Sequence, residues 1–232
     1  MMEAIILAGG LGTRLRSVVN DRPKVLAPIN DKVFIDYLIN KLLKFGITRI
    51  IFSIGYLSEY VINYVSLEYP NIDKSFVVEA NPLGTGGALK KALGEARGGH
   101  ILVLNGDTFF DVNLNHLFAF HNEKKSECTL ALKHMKNFER YGSVELTHDG
   151  NIIGFKEKIY KGEGFINGGV LIINKTIFDP YIVPDEFSFE NDFLIENLSR
   201  ISLYGYISDS YFIDIGIPDD YQKFKDDIRF LN

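Results

Sequence analysis

Apolar residues fall in two rhythms along this chain of 232 residues. Short solid runs read as strands buried on both faces: Ala4-Ile5-Ile6-Leu7, Ile50-Ile51-Phe52-Ser53-Ile54, Phe76-Val77-Val78-Glu79 and Ile101-Leu102-Val103-Leu104. Between them apolar positions recur at helical spacing. Phe34, Leu38, Leu42 and Phe45 form one such stripe, closed by Gly46. Val61, Ile62 and Val65 form another, with Ser58 placed to cap it, and a third helix follows Gly84-Thr85-Gly86-Gly87. Strands alternating with helices predict an α/β fold with a doubly wound, mostly parallel mixed sheet.

After residue 126 the rhythm changes. Cys128 to Leu132, Ser143 to Leu146, Ile152 to Phe155 and Val170 to Ile173 read as strands joined partly by turns, with a hairpin signal at Asp149-Gly150. A last helix is expected from Pro218 to Leu231, with proline in its first turn. No linker or repeat interrupts the chain, so residues 1–232 are expected to form one domain: a half over about 1–126 and a smaller antiparallel part over about 127–232.

Composition narrows the function classes. The net charge of −5 provides no general basic footprint for nucleic acid. One cysteine, Cys128, excludes an internal disulfide and reads as a small apolar strand residue. No signal-type stretch opens the chain and no apolar run could span a bilayer, so a cytoplasmic location without membrane partners is expected. The five histidines show no zinc spacing, and His116 and His121 read as surface residues of a helix.

The chemistry is announced by Leu7-Ala8-Gly9-Gly10-Leu11-Gly12-Thr13-Arg14-Leu15, with Pro23-Lys24 shortly after. Glycines let the backbone turn tightly behind the first strand, and the exposed N–H groups of such a loop form an anion-binding concavity. Arg14 and Lys24 add positive charge. No Gly-Lys-Ser/Thr ending follows, and the glycine spacing is wrong for a dinucleotide fingerprint. The string resembles the signature of the sugar-1-phosphate nucleotidyltransferases, Gly-Gly-x-Gly-Thr-Arg-Leu followed by Pro-Lys, and the resemblance runs from Ala4 to Tyr221. It implies a Rossmann-like, GT-A-like fold in which Leu7, Ala8, Gly9, Gly10, Gly12 and Thr13 bind nucleotide, while Arg14, Lys24 and Asp107 are catalytic. Many members carry a C-terminal hexapeptide array; none follows here, so a stand-alone transferase domain is expected.

Further motifs extend the resemblance. Asn105-Gly106-Asp107 ends an apolar strand, and Asp214 ends the short strand before Gly216-Ile217-Pro218. An Asp in a turn or before a helix is common for structural reasons alone. In the family, carboxylates at these two positions ligate the metal, here expected to be Mg²⁺, which takes hard oxygen ligands and phosphate oxygens. The segment Glu79 to Gly87 resembles the base-binding loop, with Glu79, Gly84 and Thr85 as nucleotide contacts. Glu79 offers two acceptor oxygens to the two donors on one edge of guanine, which favours GTP; some relatives using UTP also carry glutamate here. Glu157 and Lys158 match Phe-x-Glu-Lys, Asn167 and Gly168 match Asn-x-Gly, and Gly142 follows Tyr141; the family uses these positions for the sugar phosphate. Ser188, Glu190 and Asp192 match a less defined segment, where Ser188 equally suits a helix cap.

The resemblance implies the reaction NTP plus sugar 1-phosphate to NDP-sugar plus pyrophosphate, for a cell-surface glycan precursor. Within the family it lies nearest the guanylyltransferases acting on a heptose 1-phosphate, through Pro23 to Ile29, Pro82 to Ala88 and Asp214 to Pro218. A UTP- or CTP-dependent relative with another acceptor, such as phosphocholine, and a non-catalytic regulatory domain of the same fold are the alternatives. The aromatic-rich strands after residue 126 suit either a homodimer interface or the core.

Overall fold

The computed structural model describes residues 2–10, 12–15 and 17–230; Leu11 of the glycine-rich segment and Leu231, the expected end of the last helix, lie outside them. In chain order the elements are β1 (Glu3–Ala8), a small hairpin of β2 (Pro28–Ile29) and β3 (Lys32–Val33), α1 (Phe34–Lys44), β4 (Arg49–Ile54), α2 (Ser58–Glu68), β5 (Asp73–Val78), α3 (Gly84–Leu93), β6 (His100–Asn105), β7 (Thr108–Phe110) and α4 (Leu114–Lys124). The second half contributes β8 (Cys128–Phe138), β9 (Ser143–Leu146), β10 (Ile152–Lys156), β11 (Lys161–Asn174), β12 (Leu203–Ser208), β13 (Phe212–Asp214) and α5 (Pro218–Asp227).

A nine-stranded sheet runs β10-β9-β11-β6-β1-β4-β5, with β8 beside β11 and β12 beside β8. The pairs β6-β1, β1-β4 and β4-β5 are parallel, while β11 joins β6 antiparallel. The sheet is therefore mixed, as the change of rhythm near residue 126 predicts. Strand side chains alternate between its faces. Ala4, Ile6, Phe52 and Leu104 belong to one buried cluster, and Ile5, Ile51, Val103 and Leu171 to the other. This two-sided burial is why the strands read as unbroken apolar runs.

Strand β1 lies between β4 and β6, where the winding reverses direction, and such switch points open a crevice at the carboxyl ends of the strands. Leu7 pairs with Asn105, so the glycine-rich loop and the Asn105-Gly106-Asp107 turn leave the sheet side by side. The N–H of Gly106 donates to Leu7 O at 2.8 Å. Gly55 closes the other flank, where a Cβ would come within 3.0 Å of Gly9 O.

The two halves interlock at the start of α3. Gly86 N–H donates to Phe187 O at 2.9 Å, Phe187 N–H to Leu83 O at 3.0 Å, and Phe189 N–H to Thr85 Oγ1 at 2.9 Å. Gly84 has φ +68°, and a side chain there would strike the Phe187 backbone. Its glycine is thus demanded by the second half of the chain as well as by the pocket.

Three expectations are corrected. Ser58 is the first residue of α2 and makes no cap bond; the preceding position is Leu57 in the left-handed region. The last helix ends as an α-helix at Asp227 and tightens into a 3₁₀ turn over Ile228–Phe230. His121 is fully buried where α4 packs on the sheet, and both its ring nitrogens find partners: Nε2 lies 3.0 Å from Nδ1 of His100 on β6, and Nδ1 lies 2.9 Å from Oγ1 of Thr129 on β8. Cys128 is buried as expected. Phe178, Phe187, Phe189 and Phe193, which lie outside the strands, pack on one another in the interior, and of the strand aromatics Phe155 and Phe165 pack against the same cluster. Among the described residues no helix is long and apolar enough to cross a membrane.

Candidate active site

A cavity of about 390 Å³ opens at the switch point. Its wall contains Leu7, Ala8, Gly9, Gly10, Gly12, Thr13, Arg14, Lys24, Glu79, Gly84, Thr85 and Asp107, every position the sequence assigned to nucleotide or catalysis. Val25, Pro82, Ala88, Asn105, Gly106 and Gly216 complete the lining. The glycine-rich loop contributes backbone rather than bulk. Gly12 has φ +59°, and a Cβ there would press on the Lys24 stem at 3.2 Å. Gly10 faces open space.

Lys24 joins the chemistry of the two halves. Its Nζ donates to Asp107 Oδ2 at 2.8 Å and lies 3.8 Å from Asp214 Oδ1. Asp107 follows β6. Asp214 ends β13, which pairs antiparallel with β7 so that Asp214 stands opposite Thr108. Ile215 N–H donates to Asp107 O at 2.9 Å. These two short strands therefore bring together carboxylates that lie more than a hundred residues apart in the chain. Burial pushes the Asp214 carboxyl up from its ordinary range, and the Asp107 charge pushes the same way. Lys24, the Gly216 N–H and Arg14 oppose the rise.

Gly216, to which the sequence assigned no role, sits at the centre of this group. Its N–H donates to Asp214 Oδ1 at 2.7 Å. A Cβ there would lie 2.7 Å from Asp214 Oδ1, 3.2 Å from Lys24 Nζ and 3.3 Å from an Arg14 guanidinium nitrogen. One carboxylate and two cations thus converge on one hydrogen-sized space. Two carboxylates that share one ammonium suit a divalent cation completed by phosphate oxygens. Among the described residues no cluster of three His, Cys, Asp or Glu side chains could hold a metal by itself, so substrate oxygens would have to complete the shell.

Glu79 also lines the cavity. Its backbone N–H donates to Ile54 O at 2.8 Å, which extends β5 past its last residue. Oε2 accepts the Leu83 N–H at 3.2 Å, Ser53 Oγ approaches Oε1 at 3.4 Å, and a side chain on Gly9 would strike the carboxylate. The carboxylate is therefore oriented into the crevice beside the loop.

The residues expected at the sugar phosphate lie on or beside three adjacent strands, β10, β9 and β11. Ser143 of β9 pairs with Lys156 of β10 and with Ile166 of β11, which draws Gly142, Glu157 and Asn167 toward one another. Asn167 Nδ2 donates to Glu190 Oε2 at 2.8 Å, and its Oδ1 accepts the Gly169 N–H at 3.0 Å. Glu190 thereby acquires a partner that the sequence did not provide. Gly168 packs against the Phe110 ring and leaves no room for a Cβ. Glu157 and Lys158 are exposed on the connection between β10 and β11 and do not line the cavity. Ser188 is a cap: its Oγ accepts the Asn191 N–H at 3.1 Å, and Asp192 accepts the Ser188 N–H at 2.7 Å.

Comparison with known proteins places this geometry among relatives. The nucleotidyl transferase family pattern matches residues 3–229. The D-glycero-alpha-D-manno-heptose 1-phosphate guanylyltransferase of Aneurinibacillus thermoaerophilus is 50% identical over 98% of this chain and 99% of its own length. The protein of that name from Campylobacter jejuni is 44% identical, over 96% of this chain and 98% of its own. In three dimensions the chain is similar to HddC from Yersinia pseudotuberculosis complexed with GMP-PN, with TM-score 0.86 and 37% identity over 98% of this chain and all of that one.

Proposed function

The chain belongs to the nucleotidyl transferase family, and from that premise we propose that it is a guanylyltransferase that makes a GDP-sugar from GTP and a heptose 1-phosphate. One oxygen of the sugar phosphate attacks the α-phosphorus of GTP, the bond to the β-phosphate oxygen breaks, and pyrophosphate leaves. The attacking oxygen is already anionic, so no general base is needed. The barrier lies in bringing two polyanions together: one pair of unit charges at ~4 Å costs about 4 kcal/mol at an effective dielectric of ~20.

The chain meets that repulsion with fixed groups. The N–H groups of Gly9, Gly10, Gly12 and Thr13 cradle phosphate oxygens above Leu7 and Ala8. Arg14 neutralises the departing pyrophosphate, and Lys24 the phosphate side facing Asp107 and Asp214. Glu79 accepts hydrogen bonds from the guanine edge, with Gly84 and Thr85 shaping the wall around the base. Asn167, Gly168 and Gly142 contact the sugar. Glu157 binds the sugar hydroxyls and Lys158 the sugar phosphate. Asp107 and Asp214 would hold a divalent cation, Mg²⁺ in this reading, which supplies charge neutralisation between the two substrates when bound. Aligning the reactants contributes roughly 7–11 kcal/mol more.

The observation that carries the reading is the contact of Lys24 with carboxylates from both halves in the wall of a glycine-lined cavity. One nucleotidyltransferase domain over residues 1–232 accounts for it, since neither half holds the site alone. The test is pyrophosphate release across four NTPs and a panel of sugar 1-phosphates. GTP with a heptose or mannose-type 1-phosphate should give the highest kcat/KM; a preference for UTP or CTP would move the protein to the nucleotide-switched alternative.

A further inference from the structure

Residues 139–142, the connection between β8 and β9 that carries Tyr141 and Gly142, reach across to the strand and helix that hold Asp214. Arg140 donates to Asp220 Oδ2 at 2.6 Å. Asp220 lies in the first turn of α5, two residues after Pro218. Arg140 is partly exposed and Asp220 half-buried, at 36% and 24%, so the ion pair alone is worth little, and what distinguishes it is the aromatic contact beside it. The guanidinium also stands 5.4 Å from the centre of the Tyr141 ring. Tyr141 meets Phe212 edge-on at 5.8 Å, Phe212 meets Phe110 edge-on at 5.7 Å, and Phe110 packs under Gly168. A single line of contacts thus runs from Arg140 through the β13–β7 pair to the Asn167-Gly168 segment.

We propose that the Arg140–Asp220 pair is a latch that positions the 139–142 connection against Asp214, and so sets the affinity for the sugar phosphate without touching the reacting atoms. The proposal rests on the guanylyltransferase reading of the site. Arginine suits the task because its flat guanidinium binds the carboxylate while lying near an aromatic ring. The pair has two anchors on the Asp214 side: Asp220 begins the helix that follows Asp214, and Phe212 precedes Asp214 by two residues. Release of the latch therefore frees the backbone of Gly142 relative to Asp214, while the nucleotide wall of Gly9, Glu79 and Thr85 is untouched. Arg140 and Asp220 are positioning residues.

Steady-state kinetics on Arg140→Met, Asp220→Asn, the double variant and Arg140→Lys test this, together with backbone amide exchange over residues 139–143. The KM for heptose 1-phosphate should rise about tenfold in each single loss variant, the equivalent of ~1.4 kcal/mol, and no further in the double. The KM for GTP and kcat should stay within about twofold, and Arg140→Lys should recover most of the loss. Amides of the connection should exchange faster in both loss variants, measured without substrate. Single effects that multiply in the double, a GTP KM that rises as much as the sugar-phosphate KM, or unchanged exchange would overturn the latch. If the wild-type enzyme used no sugar 1-phosphate at all, the functional reading would fall separately, and the exchange data would still decide whether the latch holds the connection.

Discussion

Lys24 and Asp107, 83 residues apart in the chain, meet at 2.8 Å, and Asp214 stands on the other side of the same ammonium at 3.8 Å. The lysine thus occupies the point at which two phosphates and a divalent cation would have to be assembled. Replacing it with methionine keeps the stem and removes the charge. Turnover of Lys24→Met should fall by about 10²–10³-fold, the range for loss of one preorganised electrostatic group. Thermal unfolding should change much less than turnover, because methionine keeps the packing of the Lys24 stem. The same variant, with its carboxylates no longer sharing an ammonium, should bind Mn²⁺ more tightly in the absence of nucleotide. Unaltered Mn²⁺ affinity would mean that Lys24 does not compete for the carboxylates in solution.

Gly216→Ala tests the convergence of charges directly. The added methyl group would sit 2.7 Å from Asp214 Oδ1 and within 3.3 Å of both Lys24 and Arg14. The carboxylate must rotate or the backbone must shift. Activity should drop at least ~10-fold, since displacements of about 1 Å at a reacting centre cost up to ~10². Normal rates in a folded Gly216→Ala protein would show that these groups need not be held so closely.

Glu79→Gln replaces one acceptor oxygen by a donor amide. A carboxylate that accepts two guanine hydrogens would lose one and face a mismatch instead. The ratio of kcat/KM for GTP over UTP should fall by roughly 10–100-fold, the loss of one charge-assisted hydrogen bond. An unchanged ratio would remove Glu79 from base recognition.

The buried imidazole of His121 predicts a pH dependence of stability. Burial, and then the neighbouring His100, lowers its pKa to about 4 from the ordinary 6.5. Between those values the unfolded chain binds a proton that the folded protein rejects. Stability is therefore complete above pH ~6.5 and falls as pH drops toward 4, by at most about 3 kcal/mol. Urea unfolding of the wild type at pH 7 and pH 4.5 should show this loss, and His121→Gln should flatten it. Equal flatness in the wild type would contradict the burial argument.

Legibility in the sequence followed how local each feature is. The glycine-rich loop was readable because glycines and cations are contiguous and follow an apolar strand. Glu79 and Asp107 were readable because strand ends are marked by the switch from apolar run to turn. The meeting of Asp107 with Asp214 depends on β7 and β13, strands of three residues each, too short to leave a period; only the family resemblance pointed to it. Gly216 acts through the atom it lacks, which no pattern of side chains announces. His121 reads as a surface residue because a polar residue on a helix ordinarily faces water; its partners His100 and Thr129 lie on the strands before and after the helix, and only the packing of α4 on the sheet turns the ring toward them. Gly84 was legible as a pocket glycine, but its second task, making room for the Phe187 backbone, belongs to the packing of the two halves.

The most direct test of a cation anchored jointly by Asp107 and Asp214 is the Mg²⁺ dependence of pyrophosphate release in the wild type, Asp107→Asn and Asp214→Asn, at fixed GTP and sugar 1-phosphate. In both variants the half-saturating Mg²⁺ concentration should rise at least ~10-fold, because each loses one of the two protein oxygens expected to hold the ion. A wild-type Mg²⁺ curve in either variant would contradict the shared site.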